Sequence, residues 1–242
     1  MRILPVIDIQ NGVVVHGVAG ERASYQPVQS CLTDDADVRS IARAFRSQFD
    51  ISELYVADLD GIQRDQPNLN VYRELQQDDF TILLDAGLRE MSRAREFFEA
   101  GADSIICGLE TCSGSEQVTK LVEQFGSERV IFSLDLKLGR PLADVKIWNT
   151  DDPFRIAKTV IESGIRRMIV LDLAAVGVGG GVEQLRLCER LLEANSDLEL
   201  ITGGGVRDVA DLKTLKAKGI GGVLIASAFH SGSITPDDLK SL

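Results

Sequence analysis

LELITGGGVRDVADLKTLKAKGIGGVLIASAFHSG, residues 198–232, is the stretch that decides the fold. An apolar run from Leu198 to Thr202 meets three glycines, Gly203, Gly204 and Gly205. A helical pattern follows from Asp208 to Lys218, then a second apolar run from Gly222 to Ala226 and a small-residue turn at Ser227 and Ala228. Consecutive glycines let the backbone approach a ligand in conformations closed to side chains, and they leave amide N–H groups free for an anion. In barrels of alternating strand and helix, the loops after strands seven and eight often hold phosphate, helped by the positive end of a short helix. A lone glycine more often makes a tight turn with no ligand. It is the pairing of the two loops that points to an anion site.

Working outward, the same pattern occurs earlier in the chain. Asp85-Ala86-Gly87-Leu88-Arg89 matches Gly203-Gly204-Gly205-Val206-Arg207 at an offset of 118, and that offset also carries Gly101 onto Gly219 and Ser113-Gly114 onto Ser231-Gly232. Asp8-Ile9-Gln10-Asn11-Gly12 pairs with Asp135-Leu136-Lys137-Leu138-Gly139, and Asp58-Leu59 with Asp172-Leu173. The chain therefore reads as two related halves, about 1–126 and 127–242. Each half holds four short, β-branched apolar runs, each followed by a helical pattern, which specifies a parallel sheet covered by helices.

Eight such units close a barrel, so the expected fold is a single (βα)8 TIM barrel domain over residues 1–242. Its strands are expected at 3–9, 53–59, 81–84, 104–107, 130–136, 167–173, 198–202 and 222–226. The helices are expected at 37–49, 67–77, 91–100, 115–125, 153–163, 182–194 and 208–218, with a short closing helix at 235–242. From Asp8 to Asp58 is 50 residues, against 37 from Asp135 to Asp172. The excess, Val13 to Leu32, reads as a hairpin plus a flap able to close over a site.

Composition narrows the function. The chain has 242 residues, 44% hydrophobic and 26% charged, which is ample for one α/β barrel core. A net charge of −11 with no basic cluster argues against nucleic acid or an acidic membrane surface as partner. Phosphate must then be held by backbone amides and helix ends. Cys31, Cys107, Cys112 and Cys188 show no metal spacing, and with only His16 and His230 beside them they read as reduced thiols, so no metal is expected. No signal peptide or spanning segment is expected, which points to the cytoplasm.

The repeated motifs fall at strand ends, the face where such barrels build their sites. Asp8 and Asp135 close the first and fifth strands and should meet across the barrel mouth as a general acid and base, with loop capping through backbone N–H bonds as the lesser alternative. Asp58 and Asp172 read instead as carboxylates that cap loops by accepting N–H bonds.

The segments PVIDIQNGVVV (5–15), ELYVADLDG (53–61), AGLR (86–89), SLDLKLG (133–139) and the stretch from GGGV (203–206) to ASAF (226–229) resemble the histidine-biosynthesis barrel family (the HisA/HisF family) over essentially the whole chain. That family is a duplicated half-barrel whose members include an Amadori-type isomerase and a cyclase. The resemblance implies the isomerase chemistry: an acid opens a ribose ring and a base removes the C2 proton, converting an aminoaldose to an aminoketose. It implies Asp8 as base and Asp135 as acid, or the reverse. It also implies a substrate phosphate at Gly204, Gly205, Ala226 and Ser227, weaker substrate contacts at Gly87, Gly108 and Asp85, and no organic cofactor. Trp148 stands where the isomerase has a tryptophan that stacks on substrate, with plain loop packing as the equal alternative. His16 stands where the isomerase has arginine.

The departures are as informative. Leu171 replaces a hydroxyl residue before the sixth-strand aspartate, and Val176-Gly177-Val178 replaces an aspartate-glycine-threonine pattern. The first-half phosphate loop reads Asp85-Ala86-Gly87, and the turn after Gly108 reads Leu109-Glu110. Two carboxylates there would repel a phosphate, while Arg89 and Arg207 are expected on their helices, pointing away. The expected function is thus an aldose–ketose isomerase of the histidine-biosynthesis type, acting on a small phosphorylated substrate with no obligatory protein partner. The alternative is a divergent relative with a different, monophosphorylated substrate. A barrel that only binds its ligand is disfavoured by the retained aspartates, and nothing points to the cyclase.

Overall fold

The structure, a computed structural model, describes residues 1–180, 182 and 184–242. Its strands are β1 (Arg2–Gln10), β2 (Val13–Val15), β3 (Glu53–Asp58), β4 (Thr81–Asp85), β5 (Ser104–Gly108), β6 (Val130–Lys137), β7 (Arg140–Pro141), β8 (Arg167–Asp172), β9 (Glu199–Gly203) and β10 (Gly222–Ile225). Eight of them run parallel in the order β1-β3-β4-β5-β6-β8-β9-β10, and β10 pairs back onto β1 from Arg2↔Gly222 to Pro5↔Ile225, which closes the barrel. The eight expected strands are all present, with ends shifted by a residue or two. β2 and β7 are short antiparallel flaps on β1 and β6, at matching places in the two halves. The hairpin expected from Val13 is therefore real, and the second half carries a smaller one.

The helices are α1 (Val38–Phe49), α2 (Leu59–Arg64), α3 (Leu69–Gln77), α4 (Met91–Glu99), α5 (Ser115–Phe125), α6 (Val145–Trp148), α7 (Pro153–Glu162), α8 (Leu185–Ala194), α9 (Val209–Ala217), α10 (Ser227–His230) and α11 (Pro236–Lys240). Helix α1 shows why they form. Asp37 caps its start by accepting from Ser40 N at 2.9 Å, Val38, Ile41, Ala42 and Phe45 make a buried stripe at helical spacing, and Asp50 ends it in the left-handed region. The helix expected from Val182 begins at Leu185; Glu183 lies outside the described residues. The short helices α2, α6 and α10 were not anticipated, because four to six residues carry too little periodicity to read.

Alternation along each strand sorts the core into two layers. Leu4, Tyr55, Leu83, Ile106, Ile131, Ile169, Ile201 and Leu224 fill the barrel, while their neighbours Ile7, Val56, Leu84, Ile105, Phe132, Val170 and Leu200 pack outward under the helices. At the N-terminal rim the interior is sealed by charge. Arg2 bonds Glu53 and Glu199, and the buried Arg167 donates to Glu199 Oε2 at 2.9 Å, Ser104 Oγ at 3.0 Å and the Glu128 carbonyl at 2.8 Å. Removing one member of such a network leaves desolvated partners behind. Arg167→Ala should lower unfolding stability by roughly 2–4 kcal/mol in urea melts, with ligand affinity at the opposite rim unchanged.

Candidate active site

Strand parity decides which strand-end carboxylates reach the cavity. Position 4 of β1, 83 of β4, 131 of β6 and 169 of β8 face inward. Counting by twos, Asp8, Asp85, Asp135 and Leu171 also face inward, and all four line a cavity of about 460 Å³ at the C-terminal mouth. Asp58 and Asp172 have the opposite parity. Asp58 accepts from the amides of Asp60, Gly61 and Asn68 and from the Tyr72 hydroxyl. Asp172 accepts from the amides of Leu138, Gly139 and Ala174. Both are loop caps, as their sequence context indicated, and Asp172 shapes the hairpin that follows Asp135.

The cavity has two unlike ends. On the second-half side it is lined by Gly204, Gly205, Ala226, Ser227 and Ala228. Gly204 and Gly205 have φ of +77° and +83°, values that a side chain strains against. The amides of Ser227 and Ala228 begin the α10 turn and have no intrahelical acceptor. His16 Nε2 lies 2.9 Å from Ser227 Oγ, and His230 Nδ1 lies 2.9 Å from Ser30 Oγ. Burial and the nearby His16 push the His230 pKa down to about 4, so it is neutral at ordinary pH. Backbone donors with a neutral imidazole and hydroxyls around them make an anion cradle without a fixed cation.

The first-half side presents Asp85, Gly108, Glu110 and Thr111. Tyr55 donates its hydroxyl to Asp85 Oδ2 at 3.1 Å, and Ser133 donates to Asp135 Oδ1 at 2.7 Å. The flap brings Arg22 over this end, where it holds Glu110 through two bonds of 3.2 and 2.9 Å. Burial works against its charge, but the bonds to Glu110 and the carboxylates of Asp85 and Asp135 keep the guanidinium firmly protonated.

Asp8 and Asp135 sit on the cavity floor, each with a pKa raised to about 7. For Asp8 the main cause is desolvation, partly offset by Arg22 and reinforced by Asp85. For Asp135 it is desolvation and the Asp85 charge, partly offset by the Ser133 hydroxyl and by Arg22. Asp85 is raised as well, chiefly by burial. Carboxyl groups that titrate near neutrality can exchange protons with a substrate in both directions.

Some of the residues singled out in the sequence lie away from the cavity. Trp148 does not face the cavity; it is buried in α6 with its ring edge against Phe132 at 5.9 Å, on the outer side of β6. Of its two alternatives, loop packing is the one seen. Gly87 does not reach the cavity either, because the α2 backbone at Gly61 and Ile62 lies against it. Arg89 and Arg207 precede their helices. Arg89 folds back onto the carbonyls of Gly61, Ile62 and Gly87, and Arg207 pairs with Asp211 at the cavity rim.

Three flap residues escaped the sequence reading altogether: Gly17, Arg22 and Tyr25. A Cβ on Gly17 would stand 2.7 Å from Asp8 Oδ2, so only glycine allows the flap to settle on that carboxylate. The excess length of the first loop was the one available signal, and it carries no residue identity. Among the described residues, no group of His, Cys, Asp and Glu is arranged to hold a metal ion, and no helix is long and apolar enough to cross a membrane.

Comparison with known proteins adds an independent line. Residues 2–235 match the model of a family described as "Histidine biosynthesis protein". The chain is 30% identical over 240 residues to 1-(5-phosphoribosyl)-5-((5-phosphoribosylamino)methylideneamino) imidazole-4-carboxamide isomerase of Methanosphaera stadtmanae, covering 98% of each protein. It is 28% identical over 246 residues to the isomerase of the same name from Streptococcus thermophilus, covering 100% of this chain and 99% of the relative. It is also 25% identical over 239 residues to an uncharacterized protein of Methanocaldococcus jannaschii, covering 99% and 97%.

The raised carboxyl values have a thermodynamic sign. A folded-state pKa of about 7 against an ordinary 3.8 means that protonation of these two groups favours the folded chain, so their contribution to stability is fully present below 3.8 and is lost as pH rises through about 7. Asp8→Asn and Asp135→Asn should therefore raise the thermal midpoint at pH 8 and leave it nearly unchanged at pH 4, as read by calorimetry at both pH values.

Proposed function

The chain belongs to the histidine biosynthesis protein family, and from that premise we propose that it is an aldose–ketose isomerase carrying out an Amadori rearrangement on a phosphoribosylamino imidazole compound. The observation that carries the proposal is the meeting, in one cavity, of two proton-exchanging carboxyl groups and a backbone anion cradle.

The substrate phosphate binds the amides around Gly204, Gly205, Ala226 and Ser227, fixing the ribose over the floor of the cavity. One of Asp8 and Asp135, in its protonated form, donates to the ring oxygen as the C1–O bond breaks and the amine nitrogen supplies the electrons of the new C1=N bond. The other, ionised, removes the proton from C2; the C2–H electrons form C1=C2 as the C1=N pair returns to nitrogen. The resulting enol loses its hydroxyl proton to become the C2 ketone, and C1 takes up a proton to become the methylene beside nitrogen. The acid is restored by the proton taken from C2, so the reaction needs no net proton and no redox partner. Arg22 and Tyr25 on the flap, with Leu171 and Val176 on the wall, cover the reacting carbons and limit access of water to the open-chain intermediate. The reading includes a cytoplasmic location and Gly108 beside Asp135, where a Cβ would stand 3.6 Å from Asp135 Oδ2.

Complementation of an isomerase-deficient strain is the direct test. The unmodified chain should restore growth without histidine, and Asp8→Asn or Asp135→Asn should abolish it, with kcat down by roughly 10²–10⁴-fold in vitro. Failure of the unmodified chain would shift the reading to a related isomerase with another substrate. Because one carboxyl must be protonated and the other ionised, and both titrate near 7, kcat/KM should follow a narrow bell centred near pH 7 whose two limbs belong to the pair. A flat profile from pH 5 to 9 would contradict the acid–base assignment.

A further inference from the structure

The two ends of the cavity come from duplicated loops, so they can be compared position by position. Gly204 and Gly205 correspond to Ala86 and Gly87, and Ser227 and Ala228 to Leu109 and Glu110. In the second half these residues line the cavity. In the first half the corresponding backbone is closed from within. Ala86 is buried, and the Gly87 N–H donates to Asp85 Oδ1 at 3.3 Å, so the carboxylate of the loop occupies its own amide. A Cβ on Gly87 would stand 2.6 Å from the Ile62 Cα and 2.9 Å from Arg89 Nη1, which shows the adjacent space already filled. The Leu109 N–H, counterpart of the Ser227 amide, donates to the Ser133 carbonyl at 2.9 Å.

Beside Gly108 and Thr111, the charged side chains that face the cavity at this end are the carboxyls of Asp85 and Glu110 and the guanidinium of Arg22. Asp85 is fixed by the Tyr55 hydroxyl at 3.1 Å, and Glu110 is held by Arg22. Asp135, of the acid–base pair, lines the same cavity. A phosphate arriving here would meet three acidic groups and a guanidinium already engaged by Glu110. Burial pushes Asp85 and Asp135 toward their neutral forms, and the charge that remains at this end acts with little water to screen it. The same groups would suit a ligand that donates hydrogen bonds, each carboxylate oxygen being an acceptor.

We propose that Asp85 and Glu110 are specificity-determining residues that disfavour phosphate at the first-half end, so that the chain prefers a phosphomonoester whose far end is a hydrogen-bond donor, a polyol or an amine, and turns over a bis-phosphate less efficiently. The proposal rests on the isomerase reading for the identity of the reacting centre, and on the second-half cradle for the single phosphate.

Calorimetric titration with a matched pair of ligands tests it: the bis-phosphoribosyl imidazole carboxamide named for the relatives, and the same compound lacking the phosphate on its imidazole-linked ribose. The wild-type chain should bind the monophosphate at least as tightly as the bis-phosphate, and tenfold or tighter binding of the bis-phosphate would overturn the proposal. The isosteric pair Asp85→Asn with Glu110→Gln removes both charges while keeping one acceptor oxygen at each position for Tyr55 and Arg22. It should raise bis-phosphate affinity, relative to monophosphate, at least tenfold; an unchanged ratio would remove these residues from the account. Failure of both ligands to bind would eliminate the cradle and the proposal with it. Since the readout is binding, a wild-type chain that prefers monophosphate yet turns over neither ligand would sustain the specificity and remove only the isomerase reading.

Discussion

Everything at this site follows from the desolvation of three carboxyl groups on the floor of a closed barrel. Closure through β10 and β1 brings the ends of all eight parallel strands to one rim, and strand parity then turns Asp8, Asp85 and Asp135 inward. In water these groups would be fully ionised at neutral pH. Surrounded by Val6, Tyr55 and Leu171, with the Gly17 segment of the flap against Asp8, they cannot all be. Burial raises the pKa of all three, and brings Asp8 and Asp135 to about 7. The Arg22–Glu110 pair sets the balance at one side of the cavity, so the flap contributes to the electrostatics of the floor as well as covering it.

The duplication explains both the symmetry and its loss. Corresponding strand ends supply Asp8 and Asp135 across the mouth, and corresponding strand ends supply the caps Asp58 and Asp172. The loops after β9 and β10 keep glycine and small residues, leaving backbone donors toward the cavity. Their first-half counterparts turn inward on themselves through Asp85, Arg89 and the α2 backbone. The result is one cavity with a donor-rich end and an acceptor-rich end, a polarity that orients any elongated ligand.

Much of this was legible in the sequence because it is encoded locally. Apolar runs of strand length alternating with helical stripes indicated the barrel, and the fixed offset of 118 indicated its two halves. Asp8, Asp135, Gly204, Gly205, Ala226 and Ser227 carry distinctive local motifs, and all six line the cavity. Distinguishing cavity aspartates from capping ones required only the parity of each strand. What stayed hidden depends on contacts between distant segments. Arg22 meets Glu110 across 88 residues, Arg89 turns back to α2 instead of following its helix, and Trp148 packs outward on Phe132. A tryptophan in a site loop looks the same in sequence whether it faces ligand or core. Gly87 looked available for the same reason, since the α2 helix that lies against it is too short to be read from periodicity.

The account stands or falls on the protonation of the cavity floor. A carbon-13 NMR titration of the aspartate carboxyl carbons, with Asp8→Asn and Asp135→Asn used to assign the resonances, measures it directly. Two of the carboxyls should titrate with apparent midpoints near 7, each raised by burial and by the charge of Asp85. If instead every aspartate in the chain completed its titration in the ordinary carboxylate range, the floor would be solvated and the proposed acid–base pair would have no physical basis.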